Sequence, residues 1–189
     1  MSKAIRAKAK ELLGFGMSKQ AVFETLVMEH PEARPKRIAE LLRYRPSQQA
    51  RERYRTVHMA LMAAIAASAA VRVLRPVLQD AIRMDQATAY LSLVPIASLL
   101  VGWSIYRWQG QVIEWVGWGN LLGASGLLGA LKAVAKGQGD PWLIAGSALT
   151  ALIGVLALVL SQRVFAKPKE EKDPLGGPSR FVFPDEDIR

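Results

Sequence analysis

Apolar positions change their pattern near Thr56. Before it they recur every three or four residues among charged ones, which predicts short amphipathic helices. Ile5, Ala9, Leu12 and Leu13 form one stripe, and Gly14 with Gly16 supplies its stop. Ser18 can cap a second helix with Val22, Phe23, Leu26 and Val27 on its face, closed by Pro31. Pro35 sits where a first-turn proline belongs, ahead of Ile38, Leu41 and Leu42, and Pro46 closes that helix. Three stripes of this size make a small core, so the segment is expected to lean on the membrane domain or on a partner. Ser47 then caps a helix through Arg51, Arg53 and Arg55 that meets no breaker and is expected to run straight into the apolar region.

Beyond Thr56 the stripes give way to long apolar stretches. A hydrocarbon core of about 30 Å needs about 20 residues at 1.5 Å each, and the stretches 57–74, 87–106, 112–135 and 141–164 answer to it. The chain therefore reads as all-α. An integral membrane bundle of four transmembrane helices fills residues 56–165, preceded by a small N-terminal cytoplasmic helical domain over 1–55 and followed by a charged cytoplasmic tail over 166–189. Pro95 predicts a kink in the second span, and 76–86 reads as lying on the membrane surface. In the tail, Phe181, Val182 and Phe183 are strand formers, and Gly176 with Gly177 is turn chemistry, so a short hairpin stands beside an unstructured tail as an alternative.

Charge orients these elements. The net charge is +9, and 13 of the 25 Lys and Arg fall in residues 1–55. With the N-terminus inside, 20 basic residues face the cytoplasm against 5 on the other side, which predicts both termini cytoplasmic in a bacterial inner membrane. Trp103, Tyr106, Trp108, Trp115 and Trp118 crowd around the turn at 107–111 as interfacial anchors, with Tyr90 and Trp142 opposite. A basic end beside a span is accounted for by anionic lipid, so membrane lipids are the expected partners and nucleic acid the weaker reading. No cysteine is present, which excludes disulfides and thiolate metal sites. No cleavable secretion signal precedes the first apolar run.

Chemistry-bearing patterns are sparse. Gly119, Gly123 and Gly126 in the third span, and Gly146, Thr150 and Gly154 in the fourth, are spaced for close approach of two helix backbones. They either pack against each other or present a face to a protein partner or a second copy. Asn120 is expected to bond across helices to Ser98, Ser104 or Ser147, and Glu114 to pair with Arg107 at the interface. No span carries the paired carboxylates of an ion carrier. His30 and His58 are far from any paired-histidine motif, and neither a phosphate-binding loop nor a nucleophile elbow occurs, so no enzyme, cofactor or metal is expected.

In overall plan the bundle resembles small four-span inner-membrane proteins that act by binding, such as immunity proteins that neutralise membrane-active toxins. The resemblance rests on architecture and implies a non-enzymatic protein working through protein contacts, as an immunity protein or an accessory subunit of a membrane complex. Two other readings stand beside it: a small oligomeric channel or transporter subunit, and a membrane-tethered nucleic-acid-binding regulator.

Overall fold

Capping serines, prolines and apolar stripes divide the chain into successive helices, and the computed structural model describes them over residues 3–78, 96–137, 140–171 and 180–184. The chain is mostly helical: α1 (Lys3–Gly14), α2 (Lys19–Glu29), α3 (Pro35–Arg43), α4 (Gln48–Arg53), α5 (Arg55–Leu78), α6 (Ile96–Tyr106), α7 (Gly110–Gly123), α8 (Ser125–Ala135) and α9 (Pro141–Val164), then β1 (Lys169–Glu171) and β2 (Arg180–Val182). The start of the 87–106 stretch with Pro95 and Tyr90, the 79–86 part of the expected surface stretch, and the turn at Gly176 and Gly177 lie outside the described residues. Contacts divide the chain into two units, one of residues 1–56, 108–111 and 160–189, the other of 57–107 and 112–159.

The first unit follows the rules of a protein in water. Ile5, Ala9 and Leu13 of α1, Val22, Phe23 and Leu26 of α2, and Ile38, Ala39 and Leu42 of α3 close into one core. Gly16 adopts φ +82°, which turns the chain between α1 and α2 at no steric cost. Ser18 accepts from the Ala21 N–H at 3.2 Å, and Pro35 occupies the first turn of α3.

Where the membrane domain or a partner is the expected support for this small core, the chain's own tail packs on it. β1 and β2 pair antiparallel with Glu170 opposite Phe181, and alternation along β2 sends Phe181 and Phe183 into the helical core. Their rings stand 6.1 and 5.8 Å from that of Phe23, and the Phe183 N–H donates to Gln20 Oε1 at 3.0 Å. Each buried phenylalanine contributes about 1.5–3 kcal/mol.

The end of α9 belongs to the same unit. Its last carbonyls have no helical donors, and two basic side chains supply them. Lys19, only 4% exposed, donates from Nζ to the Val164 carbonyl at 2.6 Å, and Arg43 Nε donates to the Phe165 carbonyl at 3.3 Å. Cations at a helix C-terminus also complement its dipole. At Gly110 a Cβ would stand 2.6 Å from the Phe165 ring, so only glycine fits there.

Ser47 caps α4, accepting from Ala50 at 3.1 Å, but α4 does not run on into α5. Tyr54 interrupts them at φ −99°, ψ 13°, its N–H directed to both Ala50 and Glu52 carbonyls. No glycine or proline marks this break.

In the second unit α5 and α9 are long and apolar enough to cross a bilayer, over Arg55–Leu74 and Pro141–Val164. The expected third span is divided at Ala124, whose N–H reaches both Asn120 and Leu121 carbonyls, while Ser125 Oγ donates to the Leu122 carbonyl at 3.1 Å. A serine bonding back to its own helix between Gly123 and Gly126 loosens the ladder there, leaving α7 and α8 each too short to span. Among the described residues, two helices rather than four are thus long and apolar enough to cross a bilayer, and residues 87–95 of the expected second span lie outside them. His58 is buried and directs Nε2 to the Ile105 carbonyl at 2.9 Å, near the C-terminal end of α6, which requires the proton on that nitrogen.

Candidate functional site in the helical bundle

Glycine spacing on α7, α8 and α9 prepares a seam, and the structure brings part of the expected set into it. A Cβ added to Gly154 would lie 3.1 Å from the Leu121 backbone nitrogen, one on Gly123 3.5 Å from Thr150 Cγ2, and one on Gly126 4.0 Å from Ser147 Oγ. Thr150 turns its hydroxyl to the Gly146 carbonyl at 2.9 Å, which leaves its methyl for the seam. The tightest approach involves Gly117, which the spacing argument missed: a Cβ there would stand 2.8 Å from Leu158 Cδ2 and 3.2 Å from the Leu158 nitrogen. The seven-residue interval from Gly110 through Gly117 to Ala124 is the signal that could have found it.

Gly119 and Gly146 are elsewhere. Among the described residues, neither has any atom of a neighbour within 4 Å of an added Cβ. Gly119 lies on the face of α7 that also carries Trp115, Trp118 and Leu122, three and four residues apart. Trp115 and Leu122 are 78% and 77% exposed, and Trp118 is exposed as well. The result is a shallow notch floored by glycine between large apolar side chains.

Asn120 bonds within its own helix, Nδ2 donating to the Val116 carbonyl at 2.8 Å, and not across to a serine. It lines a crevice of about 210 Å³ where α5, α6, α7 and α9 converge, together with Ser68, Arg72, Ser98 and the apolar walls of Ile65 and Ile153. Ser68 and Arg72 share a face of α5, four residues apart, a pairing that sequence reading passed over. The crevice offers hydroxyl, amide and guanidinium donors to a polar or anionic group. At the α6 end, Trp103 stacks on Tyr106 at 5.9 Å and Arg107 lies 5.2 Å from the Trp103 ring.

Among the described residues no three His, Asp or Glu come together as a metal site would need. Comparison with protein-family models, curated proteins and solved structures returns no match.

Proposed function

We propose that the chain is a four-span protein of a bacterial inner membrane, with both termini in the cytoplasm, that acts without catalysis by binding a protein partner within the bilayer and at its cytoplasmic face. A toxin-neutralising immunity protein and an accessory subunit of a membrane complex both work in this way. The observation that carries the reading is the outer face of α7, where Gly119 lies open between exposed Trp115, Trp118 and Leu122. In lipid, helices associate by close packing, and a glycine notch with no neighbour among the described residues is what a partner helix can fill. The 20-to-5 split of basic residues supports the orientation, and the Trp103, Tyr106 and Arg107 cluster supports an interface at that end of α6.

Affinity purification from membranes in mild detergent tests the binding role. The wild type is expected to carry a defined protein partner that Gly119→Leu loses while its melting temperature stays unchanged. Retention of the partner by that variant would sink the proposal. A second reading, a small oligomeric channel or transporter subunit, draws on the crevice lined by Arg72, Ser68, Ser98 and Asn120. Solute flux in liposomes that Arg72→Leu abolishes would favour it.

A further inference from the structure

The first unit holds a second cavity, of about 230 Å³, between the C-terminal half of α1 and the α3–α4 connection. Lys10 enters from α1, and Arg45 and Arg51 from the connection and from α4, over a floor of Leu13, Gly14 and Pro46. Arg6 lies one turn before Lys10 on the same helix face. No carboxylate lines the cavity, and among the described residues Lys10, Arg45 and Arg51 make no ion pair. Gln48, also at its rim, donates to Glu52 at 3.1 Å. Burial, with Arg6 and Arg51 alongside, holds the Arg45 guanidinium below its usual range, so the cluster is a site of positive charge left uncompensated.

The residue after Gly14, which lines the cavity, is a large apolar group with no core role. Phe15 follows Gly14 at the α1–α2 turn and is 77% exposed, whereas the other phenylalanines of this unit, Phe23, Phe165, Phe181 and Phe183, are buried. Guanidinium forks bind phosphate oxygens in pairs, and an exposed aromatic one residue from the cavity lining suits the boundary between headgroups and acyl chains. Arg51 precedes Arg55, where the apolar stretch of α5 begins, by four residues, so chain length alone keeps it within about 15 Å of that stretch.

We infer that this cavity binds the phosphate of an anionic lipid headgroup, with Lys10, Arg45 and Arg51 as its donors and Phe15 inserted beside the acyl chains. The inference rests on the membrane reading above and names the lipid contact that the basic domain makes. A free phosphate shares the donor chemistry, but it would draw nothing from Phe15.

The test uses the full-length chain in neutral maltoside micelles, titrated with dioctanoyl phosphatidylglycerol, dioctanoyl phosphatidylcholine, inorganic phosphate and a random-sequence DNA duplex. Soluble short-chain lipid reads the cavity directly, so its failure leaves membrane insertion and partner capture untouched, and failure of partner capture leaves this result standing. The expected result is selective binding of phosphatidylglycerol, weakened at least tenfold by Arg45→Gln with Arg51→Gln. Lys36→Gln with Arg37→Gln, an equal loss of charge on the same unit, should leave it within twofold. Phe15→Ser, an exposed change that spares the fold, should weaken phosphatidylglycerol several-fold without altering phosphate binding. Equal binding by the Arg45/Arg51 pair and wild type would overturn the inference. So would phosphate or duplex binding as tightly as the lipid, or indifference to Phe15→Ser.

Discussion

The two units of this chain both bury large apolar residues, but they differ in what they leave exposed. In the first, large apolar side chains from α1, α2, α3 and β2 point inward and the exceptions, Phe15 and Met28, are few. In the second, Leu61, Ile105, Ile113 and Ile153 are buried along with Gly117 and Gly154, while Leu99, Leu100, Trp115, Leu122, Leu128 and Leu152 are exposed. Water drives the first arrangement, because hydrophobic burial is the dominant gain. On the proposed membrane reading, lipid covers the exposed apolar surface of the second, and its glycine contacts let helix backbones meet. An apolar helix left uncovered by its own chain is accounted for by a membrane or by the core of a larger assembly.

Substitutions can break or sharpen this contrast. Phe181→Ala should have the largest effect, about 3–5 kcal/mol, read by chemical denaturation as early loss of the first unit while the bundle helices persist. Simultaneous loss of both would show that the units do not melt separately. Lys19→Met leaves the Val164 carbonyl without its donor and should cost about 1.5–3 kcal/mol, measured by the same denaturation. On the bundle side, Gly154→Leu should destabilise by about 1–3 kcal/mol in detergent, because the added Cβ meets Leu121 backbone, whereas Gly119→Leu should change nothing. Equal melting of the two variants would remove the distinction between seam and outer face.

The sequence made some of this legible and concealed the rest for physical reasons. The ends of α1, α2 and α3 follow from Gly16, Ser18, Pro31 and Pro35, whose backbone restrictions act locally. The break at Tyr54 has no such marker. Phe181 and Phe183 announce a strand by composition, yet their place against Phe23 depends on a contact far along the chain. In the bundle, spacing indicated that small residues matter but not which side each faces: Gly119 and Gly123 are one turn apart, and only Gly123 meets a neighbour. Asn120 offered several acceptors across the bundle and takes the one in its own helix.

The smallest effect concerns pH. A backbone hydrogen bond, aided by His30 at 3.1 Å, holds the exposed Glu32 carboxyl below its usual range. Its contribution is present above the ordinary carboxylate pKa and is lost as pH falls through the lowered value. Glu32→Gln should flatten the acid limb of a stability profile slightly, and an unchanged profile would mean that the carboxylate contributes nothing.

Two surfaces are equally open in the fold, and the membrane proposal assigns them different solvents. Met28 is 80% exposed and Leu122 77%, and the chain contains no native cysteine to interfere. Met28→Cys and Leu122→Cys, each in native membranes opened so that both faces are reachable, can be treated with a charged, water-soluble maleimide. The account predicts fast labelling at residue 28 and almost none at 122 until detergent is added and the protein denatured. Labelling of residue 122 in intact bilayers as fast as residue 28 would contradict it.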